Sequence, residues 1–224
     1  MKIHPFRTPF PTSRLLGLAA LSLALGACSV ADRPAESAGG TGALAEQAPW
    51  LAQLDGSHRM LFDAASPGDG IPLIHAKNYY DTFNRAYQVD DAEVDAVLTF
   101  YGGTTFYGLN DSMWSKYQLG AFTGAKDASG TPFSSNPWRT APNVLGSPMP
   151  EASVESLQQR GATFILCDNA LGFMAGQVAA AGGLERDAVY EEMKANILPG
   201  VTLVPAMVIA IDQAQQAGVS YHRQ

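Results

Sequence analysis

The sequence has few cysteines, few basic residues and no long apolar run. Two cysteines are present, at positions 28 and 167, so one intrachain disulfide is the most the chain can form. Lys and Arg number 14 against 21 Asp and Glu. Because no Lys/Arg cluster is present, we expect no nucleic-acid partner. The longest apolar run covers residues 15–25, which is 11 residues, and a membrane-spanning helix needs roughly 20.

Several motifs that carry catalysis are also missing. There is no Gly-x-Ser-x-Gly sequence, so a hydrolase of that type has no support. Gly102-Gly103 is not followed by Gly-Lys-Ser/Thr and is not a phosphate loop. A site that joins Cys167 to His58, His75 or His222 is conceivable, but no pair has the close spacing of a structural zinc site. We therefore expect no metal and no cofactor.

The first 27 residues have the pattern of an export signal. Three basic residues precede the apolar run, and Leu25-Gly26-Ala27-Cys28 then resembles a bacterial lipobox. This pattern predicts cleavage before Cys28 and acylation of its thiol. An ordinary signal peptide cut near Ala27 is the alternative. Ser29 favours the outer membrane, so we expect a lipid-anchored periplasmic protein.

The region after the signal divides into a tether and one domain. Residues 28–49 are rich in Ala, Gly, Glu and Ser without an apolar period, which predicts a flexible tether. Residues 50–224 are enough for one domain with a single core. If Cys28 is acylated, Cys167 has no partner in the chain. An unpaired thiol of this kind is either buried and inert or reactive.

The most informative stretch surrounds Cys167. Residues 162–166 form a short apolar run of strand length, and either Asp168 or Asn169 can cap a following helix. Leu171, Met174, Ala175 and Val178 would share one face of that helix. Open α/β sheets place their sites where a strand ends and a helix begins. The helix N-terminus favours the thiolate of Cys167, whereas the adjacent Asp168 carboxylate opposes it.

These residues, together with Leu-Pro-Gly-Val-x-x-Val-Pro at 198–205, resemble the DsrE/DsrF-like (TusD-type) sulfur-relay superfamily. The resemblance implies an α/β fold of three layers, with a mostly parallel five-stranded sheet and helices on both faces. It also implies a homotrimer or homohexamer. In sulfur-relay members, the cysteine at the position of Cys167 carries sulfur as a persulfide and passes it to a partner protein.

The remaining pattern alternates strands and helices, which is typical of parallel βαβ units. We predict strands over 58–63, 94–101, 162–166, 200–204 and 219–222. We predict helices over 72–87, 151–160, 187–196 and 207–217, with a short helix capped by Asp111. Residues 120–150 show no period and form an insertion, either a lid or oligomer contact or a tolerated surface segment.

Residues in the loops at the carboxyl edge of the sheet could bind a small ligand. Thr104, Thr105 and Asn110 could donate hydrogen bonds to a small anion there, as could Asn169 beside the thiol. The alternative for the threonines is a purely structural turn. Three functions remain open: a persulfide carrier, a non-catalytic oligomeric binding module with Cys167 buried, and a redox relay with another protein.

Overall fold

A computed structural model describes residues 48–224. The predicted signal sequence, Cys28 and nearly all of the predicted tether lie outside these residues. Five strands form one parallel sheet with the order β6-β5-β2-β1-β7. The strands are β1 (His58–Asp63), β2 (Val94–Phe100), β5 (Thr163–Cys167), β6 (Val201–Val204) and β7 (Ser220–Arg223), and a separate hairpin pairs β3 (Asn143–Val144) with β4 (Ser147–Pro148).

Seven α-helices connect and cover the strands in the described part of the chain. They are α1 (Ile71–Thr82), α2 (Asp111–Lys116), α3 (Leu119–Thr123), α4 (Val154–Gln159), α5 (Asp168–Gly182), α6 (Arg186–Ala195) and α7 (Met207–Gln216). A π-helical turn, Phe83–Tyr87, extends α1, and a 3-10 helix, Gly102–Gly108, follows β2. The predicted elements are present, with ends that differ by a few residues.

The helices form unequal layers on the two faces of the sheet. The broad face packs against α1 to α6, and its cluster includes Leu73, Trp114, Leu157 and Leu171. The narrow face packs against α7 and the short 3-10 helix Pro49–Gln53. Alternate residues of β5 point to opposite clusters, as the period of a strand requires. The three-layer α/β architecture expected from the sequence is therefore confirmed.

Two predicted helix caps are wrong. Asp111 is the first residue of α2, and Asn110 is its cap: the Asn110 side chain accepts hydrogen bonds from the backbone of Ser112 and Met113. The cap of α5 is Cys167 itself, rather than Asp168 or Asn169. Because the helix begins one residue earlier than expected, the thiol occupies the position where capping side chains normally accept hydrogen bonds.

Residues 120–150 contain more order than their sequence suggested. The buried side chain of Asn136 donates to the backbone oxygens of Tyr107 and Leu109, both at 2.7 Å. The backbone N–H of Trp138 in turn donates to Asn136 Oδ1 at 2.9 Å, and the indole is buried in the broad-face cluster. The segment is thus fastened to the domain by long-range contacts, which periodicity does not report.

Arg160, directly after α4, joins that helix to α1. Its guanidinium donates to Asp81 at 2.6 Å and to both carboxylate oxygens of Asp91 at 2.8 and 2.9 Å. It also lies over the ring of Tyr80, 4.7 Å from the centroid. The hydrogen bonds from Arg160 lower the pKa of Asp91. Burial acts to raise the pKa of Asp81, but hydrogen bonds from Lys77 and Arg160 outweigh it and lower that pKa.

Candidate functional site

Cys167 lies at the carboxyl end of β5, with its side chain on the narrow face of the sheet. Its sulfur accepts two backbone hydrogen bonds. The N–H of Ala170, in the first turn of α5, donates to Sγ at 3.4 Å. The N–H of Met207, the first residue of α7, donates at 3.3 Å. The opening turns of two helices therefore meet at one sulfur atom, and both favour negative charge there.

The topology explains why this sulfur is where it is. After β5 the chain enters α5 on the broad face, and after β6 it enters α7 on the narrow face. A crevice opens at the carboxyl ends of two neighbouring parallel strands when the helices that follow them pack on opposite faces of the sheet. Open α/β sheets usually bind their ligands in such a crevice. The backbone N–H of Asn169 donates to Pro205 O at 3.3 Å and joins the start of α5 to the loop after β6.

The sulfur is largely covered. Cys167 is 5% exposed and belongs to the narrow-face cluster with Trp50, Val204 and Met207. It is the free cysteine of the described residues. Within residues 48–224, no group of three or more His, Cys, Asp and Glu side chains is arranged to hold a metal ion. The site is thus a polarised thiol at a strand end, with little of its surface open.

Asp168, expected to oppose a thiolate, is engaged by another group. Tyr190 of α6 donates its hydroxyl to Asp168 Oδ1 at 2.6 Å. This hydrogen bond, with a contribution from burial, raises the pKa of Tyr190. The carboxylate therefore accepts a hydrogen bond from α6. No local pattern indicated this partner, which lies 22 residues away.

Asn169, Asp168 and Tyr190 line an open polar groove between α5 and α6. The groove has a volume of about 390 Å³, and Arg186 forms another part of its wall. The Arg186 guanidinium lies on α5 over Gly172 and Gly176, where an added Cβ would approach it to 3.5 Å. Asn169 is exposed, so its predicted role in ligand binding remains open.

Thr104 and Thr105 are fully buried, and their hydroxyls bond to nearby backbone. The Thr104 hydroxyl donates to Ala64 O at 2.5 Å and accepts from Tyr101 N at 3.1 Å. That of Thr105 donates to Gly102 O at 2.9 Å. No hydrogen bond joins either side chain to Cys167 in the part of the chain described here. These contacts form the turn that was the alternative for both threonines, and anion binding by them stays a prediction.

The third predicted donor, Asn110, contacts the end of α6. Its amide donates to Asn196 Oδ1 at 2.9 Å, and its backbone N–H donates to Asn196 O at 3.0 Å. Together with the cap of α2, these bonds occupy both ends of the side chain. The amide is therefore committed to contacts within the fold, on the broad face rather than beside the thiol.

A larger cleft opens at the carboxyl edge on the broad face. It has a volume of about 910 Å³ and is walled by the loop after β1, the insertion and α5. Its lining includes Tyr107, Phe122, Lys126, Trp138 and Met174. The size is typical of small-ligand sites, which occupy about 300–1,000 Å³. The sulfur of Cys167 points to the other face, so the cleft and the thiol are separate features.

Sequence reasoning missed a polar cluster on the narrow face. Asp63, at the end of β1, is 5% exposed and accepts a hydrogen bond from the Tyr221 hydroxyl at 2.5 Å. Burial, and then a hydrogen bond to Asp63, raises the pKa of Tyr101, which packs against the cluster that contains Cys167. The one sequence feature that could have indicated this cluster is Asp63, an acidic residue at the end of an apolar strand.

Comparison with known proteins gives no family and only a weak structural likeness. No family model and no curated protein matches the chain. Among solved structures, the chain is similar to MTH1491, a protein of unknown function from Methanobacterium thermoautotrophicum. Sequence identity is 18%, the match covers 75% of this chain and 99% of the archaeal one, and the TM-score is 0.36. A likeness of this size supports no statement about activity.

The described residues also bear on membrane insertion. None of their helices combines the length and the apolar character that crossing a bilayer requires.

Proposed function

We propose that this protein is a DsrE-like sulfur carrier, held to a periplasmic membrane surface by a lipid on Cys28, in which Cys167 takes up and passes on sulfur. The proposal begins from the strand-Cys-x-Asn-Ala-Leu pattern and the Leu-Pro-Gly-Val-x-x-Val-Pro sequence. The parallel three-layer fold is compatible with it. The observation that carries it is the pair of backbone N–H groups directed at the sulfur of Cys167.

Those two N–H donors favour the thiolate form of cysteine, which sulfur transfer requires. The nucleophilic form of cysteine is the thiolate, and N–H groups at helix N-termini stabilise negative charge on sulfur. In Cys167 the donors come from two helices rather than one, at 3.4 and 3.3 Å. The same groups would stabilise the inner sulfur when it leaves as a thiolate during transfer to an acceptor.

The proposed step needs no external oxidant. The Cys167 thiolate attacks the outer sulfur of a donor persulfide, forming a new S–S bond as the bond between the donor's two sulfurs breaks. The donor leaves as a thiolate, so one sulfur changes carrier and no net oxidation occurs. With thiosulfate the leaving group is sulfite. Attack by an acceptor thiolate on the outer sulfur of the Cys167 persulfide then returns Cys167 to the thiolate.

Access to the sulfur would involve the surface around α5 and α7. Val208 and Ile209, in the first turn of α7, are 71% and 54% exposed, and Phe173 of α5 is 65% exposed. Apolar side chains left in water on both helices suit a protein surface that docks on them. We extend the proposal to a homo-oligomer and to a sulfur-carrier partner that binds at this edge.

Mass spectrometry of the whole chain after incubation with thiosulfate or a small persulfide tests the proposal. We expect a gain equal to one sulfur atom on the peptide that contains Cys167, reversed by dithiothreitol. The Cys167→Ser variant should gain nothing there, and the matched Cys28→Ser variant should still be modified at Cys167. A native Cys167 that stays unmodified and resists thiol reagents would refute sulfur transfer.

A non-catalytic binding module is the second candidate. Two observations favour it: Cys167 is 5% exposed, and the cleft of about 910 Å³ lies on the opposite face from the thiol. In this case Cys167 would react with a thiol reagent only after unfolding. Comparing the labelling rate of the native protein with that of the denatured protein separates the two functions.

A further inference from the structure

Two histidines that are far apart in the sequence meet at the carboxyl edge of the sheet. His75 lies in the second turn of α1, and His222 lies in β7 opposite Phe62 of β1. Their ring centroids are 5.5 Å apart, with an angle of 60° between the ring planes. Phe62 packs edge-on against His222 at 6.0 Å. We call His75 and His222 the histidine pair.

Gln224 orients the first of these rings. Nδ1 of His75 lies 2.6 Å from Gln224 Oε1. A carbonyl oxygen only accepts hydrogen bonds, so Nδ1 carries the proton and the lone pair of the neutral ring is on Nε2. Metal-binding histidines commonly have this arrangement, in which one ring N–H is held by an oxygen and the other nitrogen binds the ion. The Gln224 backbone is fixed as well, since its N–H donates to Asp63 O at 3.0 Å.

The ring separation suits a shared ion. A zinc–nitrogen bond of about 2.0–2.1 Å places the ion about 3.2 Å from the centroid of the imidazole that binds it. If the two nitrogen–zinc bonds form an angle of about 110–120°, the two ring centroids are about 5.2–5.5 Å apart. The observed 5.5 Å lies at the upper end of this range. The His222 ring is exposed, so solvent rather than packed protein surrounds part of it.

A polar atom left without a partner points to a ligand at this place. Gln224 Nε2 is buried and has no hydrogen-bond acceptor among the described residues. A buried N–H donor without an acceptor destabilises the fold. A ligand or solvent oxygen beside His75 would be an acceptor of the required kind. Two imidazoles and solvent form an open coordination sphere, unlike the closed four-ligand set of a structural zinc site.

We propose that His75 and His222 bind one divalent transition-metal ion, with His75 Nε2 and a ring nitrogen of His222 as ligands and water in the remaining positions. Imidazole ligands suit copper, nickel and zinc, and Cu²⁺ binds most tightly of the three. Protons compete for the same lone pairs, so binding weakens in acid. The proposal is independent of sulfur transfer, because neither Cys167 nor its hydrogen-bond donors take part.

The four histidines of the chain provide matched variants, since His4 and His58 lie outside the pair. The test uses the full chain with both cysteines replaced by Ser, so that no thiol competes. Cu²⁺ binding is measured by titration, and electron paramagnetic resonance counts the coordinated nitrogens. We expect His75→Gln or His222→Gln to weaken binding by at least about tenfold, the scale of loss known for lesser changes around metal sites. His4→Gln and His58→Gln should leave it unchanged.

Undiminished binding in the His75→Gln and His222→Gln variants would place the ion elsewhere and overturn the proposal, as would equal losses in all four. Circular dichroism without metal checks that each variant folds. If one variant does not fold, ¹⁵N NMR of the histidine rings in the protein without that substitution tests the site instead. Added Zn²⁺ should shift Nε2 of His75 while Nδ1 keeps its proton, and unchanged ring signals would contradict the site.

Discussion

The two faces of the sheet differ in how they are covered and in what they carry. The broad face has most of the helices, and its cluster includes the large, fully buried side chains of Trp114, Tyr80 and Phe164. The narrow face has α7 and a five-residue 3-10 helix. The thiol of Cys167 and the carboxylate of Asp63 both lie on the narrow side, close to where their strands end.

The broad face therefore holds most of the large buried apolar side chains, and the narrow face holds the thiol. A deep apolar layer fixes the strands, so the opposite layer can hold polar groups whose burial would otherwise be costly. Fewer elements cover the narrow face, so fewer would have to move before a reagent could reach the Cys167 thiol. Three substitutions test this division, beginning with the largest expected effect.

Trp114→Ala should be the most destabilising. The indole is fully buried on the broad face, and its Nε1 donates to Phe106 O at 2.9 Å. Removing a buried Trp typically costs about 3–5 kcal/mol of unfolding free energy. Urea unfolding followed by circular dichroism measures the loss. A cost below that of the narrow-face substitution Trp50→Ala would contradict the division.

Arg160→Ala should cost about 2–3 kcal/mol at neutral pH, because the partly buried Asp91 loses its guanidinium partner and Asp81 is left with Lys77. Asp81 and Asp91 have pKa values below the ordinary 3.8 in the folded protein. Their contribution is therefore present above pH 3.8 and is lost as the pH falls through the lowered values. The free energy of unfolding is measured for the original protein and for the Arg160→Ala variant, from pH 6 down to the acid limit of folding. We expect the two values to converge in acid. A constant difference would mean that Arg160 acts through packing on Tyr80.

Trp50→Ala should have the smallest effect on global stability and the largest on the thiol. Trp50 is 3% exposed on the narrow face, in a short element that can open without the rest of the domain. We expect a loss of about 1–2 kcal/mol and labelling of Cys167 that is faster by about tenfold, since 1.4 kcal/mol in a local opening corresponds to that factor. Trp114→Ala, assayed where it is still folded, is the matched control. Unchanged labelling would show that the Pro49–Gln53 helix does not gate the sulfur.

Regular elements were predictable because their signals are local. The apolar run before Cys167 indicated β5, and Leu171, Ala175 and Val178 at helical spacing indicated the buried face of α5. The position of the thiol between a strand and a helix followed from the same local pattern. Its second donor did not, because the Met207 N–H is a backbone group brought in by an element 40 residues later.

The remaining features depend on pairing across the fold. Nothing in the sequence placed His222 beside His75, since their meeting requires that β7 pair with β1. The order within the insertion depends on Asn136 reaching the backbone of Tyr107, and an isolated Asn-Pro-Trp sequence predicts only a turn. Long-range hydrogen bonds of this kind leave no periodic trace.

The pairing of β7 with β1 also has a consequence for how the chain assembles. Leu61 has Tyr221 as its neighbour, so β1 gains its second partner only from residues far along the chain from it. Contacts between such distant segments slow folding, because a long loop must close before they form. Until β7 is in place, β1 presents an open edge whose unpaired backbone groups another strand could bind.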